Sequence, residues 1–378
     1  MLQGLLLQQK NPYSDKNENG IINAGVAENT LALSLLTPHF NSIQVIENDF
    51  KYGELCGSSQ LRQLIAELFN RHLSTQLSGS HLSLHNGCGS TIENLVFNIC
   101  DLNDEIMIAV PFYGGFEMDL QYRMGIKIVQ VPTMNYRLTM DLLEETYAKH
   151  SHIKAFLLCN PENPTALCRT IKEIELVIEF CNKHSLHLIS DEIYALTAFN
   201  SFYSIFHPKF THLINKNNTH LVWSFSKDFC MNGIRVGVYA SLNPLCVQQM
   251  HNTCYFSAIS RFADLHLTKF LTNTTIVDAF LVKNKEICLN YLQQFKLFCN
   301  QRNIRFIEPN AGFYLYINLS KYIVTTEYDL FLNFINIGVY MPRGEAFNDN
   351  EQGWFRVTYA LKDSEFKLLL SRLSMLLD

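Results

Sequence analysis

Between Ile106 and Ser241, short apolar runs alternate with stretches of helical spacing, and this alternation constrains the fold more than any other feature. Residues 106–110, 126–131, 153–159, 186–190, 221–223 and 234–241 are short and apolar, and they read as buried strands. Helical periodicity appears near 115–124, 139–149 and 170–184, the last with Ile171, Ile174, Val177, Ile178 and Cys181 on one stripe. Strand–helix alternation implies an α/β fold with a largely parallel sheet covered by helices on both faces. Ligands of such sheets bind in the loops past the carboxyl ends of strands. The residues at those ends are therefore the ones to inspect for chemistry.

A chain of 378 residues, 48% hydrophobic and 17% charged, is large for one core and suits two domains. A net charge of −5 without blocks of like charge argues against a nucleic-acid partner. None of the eleven cysteines has C-x-x-C spacing. Those in apolar runs, such as Cys159, Cys181 and Cys288, read as small core residues in a reducing compartment, and no metal site is expected. Residues 1–10 have one short apolar run with no basic region before it and do not read as a secretory leader. Nothing approaches the roughly 18 uninterrupted apolar residues of a membrane span. A cytoplasmic location with no membrane contact is expected.

Residues 11–30 are polar, turn-rich and without period, and read as a loop. Ser58 or Ser59 can cap a helix with Leu61, Leu64, Ile65, Leu68 and Phe69 on one face. The segment His85-Asn86-Gly87-Cys88-Gly89-Ser90 opens a helix through Cys100, with Ser90 and Glu93 at capping-box spacing. Its glycines let backbone amides approach an anion. Residues 243–297 are helical in pattern. The last third combines strands at 304–307, 312–317 and 354–359 with helices near 327–336 and 363–377, a smaller α+β unit. The expected division is a large domain over 45–265 and a small one built from 11–44 and 266–378.

The strand ends carry a consistent set of polar groups. One run ends in Ser224-Phe225-Ser226-Lys227, and burial there lowers a lysine pKa and leaves a nucleophilic amine. Others end in Val110-Pro111-Phe112-Tyr113, in Asn160-Pro161-Glu162-Asn163-Pro164-Thr165, and in Ser190-Asp191-Glu192-Ile193-Tyr194. Singly, each has a bland reading: Asp191 as a helix cap, Tyr113 as a surface aromatic, Asn163 as a turn residue, Arg235 as a surface partner. Together they match what pyridoxal phosphate requires. An aspartate keeps the pyridine nitrogen protonated, tyrosine and asparagine hydrogen-bond the ring oxygen, and an aromatic stacks on the ring. Serines, an arginine and a glycine-rich helix start hold the phosphate.

The motifs Asn-Pro-x-Asn-Pro-Thr at 160–165, Ser-Asp-Glu-Ile-Tyr at 190–194, Ser-x-Ser-Lys at 224–227 and Gly-x-Arg-x-Gly at 233–237 resemble class I/II aminotransferases of PLP fold type I. Within that superfamily the chain is similar to 1-aminocyclopropane-1-carboxylate (ACC) synthases, through residues 11–29, Ser226-Lys227-Asp228 and Gly353-Trp354-Phe355-Arg356-Val357. The resemblance implies a large domain with a mostly parallel mixed sheet and a smaller α+β domain. It implies that Lys227 carries the cofactor covalently and shuttles the substrate α-proton. Asp191 then pairs with the pyridine nitrogen, Asn163 and Tyr194 contact the ring oxygen, and Tyr113 stacks on the ring. Cys88, Gly89, Ser90, Ser224, Ser226 and Arg235 hold phosphate, joined by Tyr52 from across a homodimer interface. Arg356 clamps the substrate carboxylate, with Asn163 beside it, and Glu28 lies over the substrate.

Three stretches depart from the synthase pattern. Tyr52-Gly53-Glu54-Leu55-Cys56-Gly57 replaces Tyr-His-Gly-Leu-Pro, Cys230-Met231-Asn232 replaces Gly-Leu-Pro, and Arg343 interrupts a Pro-Gly pair. The expected activity is transamination of an α-amino acid, with ACC synthesis or C–S elimination as alternatives. Two other classes compete. Ser224-x-x-Lys227 matches a serine-hydrolase motif, but there the lysine should open a helix and not end a strand. A non-catalytic ligand-binding protein of the same fold is the other.

Overall fold

The computed structural model describes residues 2–378, excluding the side chains at 2–4 and 48. Its strands are β1 (Ile22–Asn23), β2 (Leu82–His85), β3 (Glu105–Ala109), β4 (Lys127–Val131), β5 (Ile153–Cys159) and β6 (His187–Asp191), followed by β7 (Thr219–Ser224), β8 (Gly237–Ser241), β9 (Arg305–Phe306), β10 (Tyr314–Asn318), β11 (Val339–Tyr340) and β12 (Trp354–Thr358). Seven of them form one sheet in the order β2-β8-β7-β6-β5-β3-β4. The pairs from β7 through β6, β5 and β3 to β4 are parallel, whereas β8 runs antiparallel to both β2 and β7. This is the mostly parallel, helix-covered sheet that the alternation predicts.

The single reversed strand matters for the site. Gly237 opens β8 and pairs with both Ser224 and His85, the last residues of β7 and β2. The chain entering β8 therefore arrives at the edge where its neighbours end, which brings Arg235 to the carboxyl side of the sheet.

A second sheet, β12-β10-β9, is antiparallel, and β1 pairs in parallel with β11. One apolar core packs one face of β7 and β8, with Leu221, Trp223, Val238 and Ala240, against helices Ser59–Leu73, Ile171–Lys183 and Arg261–Thr272, and a third core with Val222 and Tyr239 covers the other face. Another gathers Ile21, Ile22 and Ala27 with Phe313, Phe334, Phe355 and Leu373. The helix Thr274–Gln301 spans the two, with Val277 and Leu281 in the first core and Cys288 and Leu292 in the second.

Several expectations need correction. The loop over 11–30 contains β1, whose register with Val339 and Tyr340 ties the N-terminal segment to the small sheet. Strand β2 is absent from the sequence reading because Leu82-Ser83-Leu84-His85 is only four residues long, too short for its alternation to stand out, and the structure buries all four. The strand expected over 234–241 starts at Gly237, because Asn232–Ile234 form a turn and Arg235 is left-handed at φ 55°. The helical stretch 243–297 is three helices, Pro244–Thr253, Arg261–Thr272 and Thr274–Gln301. Lys227 lies three residues beyond its strand, on the short helical turn Phe225–Asp228. The strand-end argument against a serine hydrolase therefore fails, and the two classes are separated by the fold and by the lack of the accompanying Ser-Asp-Asn and Lys-Thr-Gly motifs in the sequence.

Candidate active site

Lys227 is half-buried at the carboxyl edge of the sheet, and its turn is capped by Ser224, whose Oγ accepts from the Ser226 amide at 3.0 Å. Burial, helped by the positive charge of Arg356, lowers the lysine pKa to about 8. The amine donates to the Ala27 carbonyl at 2.5 Å.

The helix Cys88–Ile99 begins at Gly87, which has φ 90° and no side-chain cap. Ser90 is inside its first turn, so the expected capping box does not form, and Glu93 instead pairs with Arg123 at 3.0 Å. The amides of Cys88, Gly89 and Ser90 thus open the helix with no capping side chain, an arrangement suited to a phosphate. A Cβ on Gly87 would collide with the Arg235 guanidinium, and one on Gly237 would strike Thr91 and the Gly87 carbonyl. Glycine at both positions is what lets arginine, strand and helix start meet.

Asp191 ends β6, buried, and takes one hydrogen bond from the Ile193 amide at 3.2 Å. Burial pushes its carboxyl up to about 7, against the pull of that amide and of Lys227. A buried acid so weakly compensated suits a cationic N–H partner such as a protonated pyridine. Tyr194 is buried with its ring 5.4 Å from Tyr314, and burial raises its phenol. Tyr113 follows β3 with its ring half-exposed, and it lies close enough to Asp119, Arg356 and Asp191 to feel their charge. Asn163 is buried and accepts from Arg356 Nη1 at 2.7 Å.

Arg356 sits on β12, where Trp354–Thr358 pair with β10. Its guanidinium lies between the rings of Tyr314 and Phe347, at 5.1 and 5.0 Å. It also donates to the Gly25 carbonyl, and its Nε finds no partner among the described residues. A buried guanidinium bonded only to neutral oxygens suits a carboxylate ligand. Glu28 is exposed at the mouth, and its Oε1 accepts from Asn232 at 3.0 Å.

One expected site residue stands apart: Tyr52 is 100% exposed on the turn before helix Ser59–Leu73. Arg343 is turned to ion pairs with Glu345 and with Glu327 at 3.5 Å.

Sequence reading missed the supports. Arg169 is buried and bridges Glu162 and Glu173, the latter at 3.0 Å. Glu162 also accepts from Thr165 at 2.8 Å, so one carboxylate braces the turn that carries Asn163. Asp228 accepts from Trp223 Nε1 at 2.7 Å and from the Leu196 and Thr197 amides, joining the Lys227 turn to the Tyr194 turn. Asp119 Oδ1 would stand 2.7 Å from a Cβ on Gly89, and burial pushes this acid up to about 7. Only Asp228, next to the lysine, carried a signal in the motifs.

Residues 9–373 match the family described as Aminotransferase class I and II. ACC synthase 4 of Solanum lycopersicum is 27% identical over 399 residues, covering 96% of this chain and 82% of that protein. The human protein named "Probable inactive 1-aminocyclopropane-1-carboxylate synthase-like protein 2" is 28% identical over 393 residues, with 96% and 68% covered. Aspartate aminotransferase from Thermus thermophilus, solved with maleate, shares the fold with a TM-score of 0.84 at 18% identity, over 100% of this chain and 95% of that one. The chain belongs to the class I and II aminotransferases, is pyridoxal-phosphate-dependent, and is similar in sequence to the ACC synthases.

Proposed function

We propose that this enzyme acts on an α-amino acid by transamination, releasing a 2-oxo acid. The observation that carries the reading is that Gly25 and Ala27, two residues apart, hold Arg356 and Lys227 by their carbonyls. The guanidinium that an amino acid needs at its carboxylate and the amine it needs at its α-carbon thus lie one short span apart.

In this reading Cys88, Gly89, Ser90, Ser224, Ser226 and Arg235 hold the cofactor phosphate. Asp191 keeps the pyridine nitrogen protonated, Asn163 and Tyr194 orient the ring oxygen, and Tyr113 lies against the ring. When bound, the cofactor supplies a covalent anchor at Lys227 and an electron sink for the substrate α-carbon. Lys227 Nζ, with its lowered pKa, takes the α-proton and returns it. Arg356 fixes the α-carboxylate bidentately, and Asn163 Oδ1 holds the guanidinium in place. Glu28 and residues 25–29 cover the substrate and limit water. Tyr52, exposed beside Phe50, reaches the phosphate of a second subunit in a homodimer. Two structural units meeting at the helix Thr274–Gln301 belong to the same proposal.

ACC synthesis and C–S elimination use the same apparatus and differ in substrate pose. One relative is named probable inactive. Lys227, Asp191 and Arg356 all in place support turnover in this chain. The test is purified protein supplied with pyridoxal phosphate and offered amino acids, with and without a 2-oxo acid acceptor. Products assayed are 2-oxo acid, free thiol and ACC. Product formed catalytically without an acceptor would overturn transamination.

A further inference from the structure

Outside this site, Cys56, His251 and Cys254 gather beside the edge strand β2, close enough for the two thiols and the imidazole to perturb one another. Each member is anchored. Cys56 lies in the turn that begins at Tyr52, and its carbonyl accepts from Leu84 of β2 at 3.0 Å. His251 Nε2 is 2.9 Å from the Leu82 carbonyl on the same strand. Cys254 follows helix Pro244–Thr253 and donates to the His251 carbonyl at 2.9 Å. Arg62 adds positive charge from the Gly57 carbonyl, to which its Nε donates at 3.1 Å. Two thiols and an imidazole so placed are the groups that thiol oxidation uses.

The two sulfurs are not equivalent. Cys56 is half-buried, whereas Cys254 is buried. Hydrogen bonding from Cys254, then from His251, and the charges of His251 and Arg62 pull the Cys56 thiol down against the opposing effect of burial. Burial pushes up the nine thiols outside the pair. Reactive cysteines are thiolates in electropositive, partly accessible settings, and only Cys56 has that setting.

We propose that Cys56 and Cys254 form a peroxide-responsive dithiol, with Cys56 as the attacking sulfur, Cys254 as the resolving sulfur and His251 as the proton donor. The Cys56 thiolate attacks one oxygen of a hydroperoxide, forming an S–O bond and breaking the O–O bond. Cys56 is oxidised by two electrons to a sulfenic acid, and the leaving oxygen takes a proton from His251 and departs as water or alcohol. The Cys254 thiol then attacks the Cys56 sulfur, forming the S–S bond. The S–O bond breaks, and the departing hydroxide carries off the Cys254 proton as water. The disulfide ties the Tyr52–Gly57 turn to the end of helix Pro244–Thr253. This chemistry is independent of the cofactor reading.

The experiment treats the reduced full-length protein with one equivalent of hydrogen peroxide, alkylates it, and maps its peptides. The expected result is a Cys56–Cys254 cross-link with the other nine cysteines alkylated. His251→Gln should slow the loss of the Cys56 thiol about tenfold, and Cys254→Ser should leave a sulfenic acid at Cys56 that dimedone captures. Cys100→Ser should change neither result. Oxidation spread across the cysteines, or a Cys56 consumed no faster than Cys100, would overturn the proposal. The wild-type map decides by itself if a variant does not fold.

Discussion

The Lys227 amine donates to the Ala27 carbonyl across 2.5 Å, which straps the N-terminal segment over the lysine. The same segment presents Gly25 to Arg356. Its hold is local and polar. Under the proposed function, a bound amino acid, whose carboxylate makes stronger charge-assisted bonds to Arg356 than a neutral carbonyl does, displaces it. The strap is anchored on one side by β1, paired with β11, and on the other by Asn29, which donates to Asn284 at 2.8 Å.

Lys227→Ala should abolish the yellow absorbance that borohydride fixes to the protein, and lower turnover by at least about 10³-fold. Absorption spectra and peptide mapping after borohydride check this. A variant that keeps the absorbance and the fixation would remove Lys227 from the proposed role.

Arg356→Lys should raise KM for amino acids about 100-fold, because one ammonium cannot bind a carboxylate bidentately. The cofactor spectrum should stay unchanged. An equal loss with amines that lack a carboxylate would place the effect elsewhere.

Asp191 sets a pH dependence in the cofactor-free protein. Its folded pKa, about 7, lies above the ordinary aspartate value of 3.8, so the folded state binds more protons across that interval. The stability linked to this group is therefore present at pH 4 and lost as the pH rises towards 7. Asp191→Asn should flatten the fall in the urea midpoint over this range. Identical pH profiles for variant and wild type would show that Asp191 does not titrate as its burial requires.

Glu162→Gln leaves Arg169 short of one carboxylate inside the protein and should cost about 3–5 kcal/mol of stability. Replacing both, as Glu162→Gln with Arg169→Met, should recover much of that loss. Denaturant midpoints measure it, and a double variant that loses as much as the two single variants together would rule out a coupled pair.

Tyr52 tests the dimer. It is 100% exposed, and Phe50 and Phe256 are also exposed nearby in sequence or on the adjoining segment. Tyr52→Phe should weaken cofactor affinity about tenfold, the size of one hydrogen bond to a charged group, without changing the mass measured by light scattering. A monomeric wild-type protein would overturn the shared-site proposal.

Much of the site was legible in the chain because each group follows a strand, and strands announce themselves as short apolar runs. Asp191, Asn163, Tyr194 and Lys227 could be read this way. Arg356 needed the resemblance, since nothing local to Trp354–Thr358 distinguishes an active-site arginine from a structural one. Glu162 and Arg169 were overlooked because a salt bridge across a turn has no sequence period.

The sequence alone determined the strand–helix alternation and the order of the motifs, because these depend on local periodicity and on residue type. Only the tertiary structure decided how they meet. The reversal of β8 carries Arg235 to the end of β7, and β1 pairing with β11 draws Gly25 and Ala27 across Arg356 and Lys227. Both depend on pairing between segments far apart in the chain. Strand direction and long-range register are properties of the packed sheet, and no short stretch of sequence specifies them.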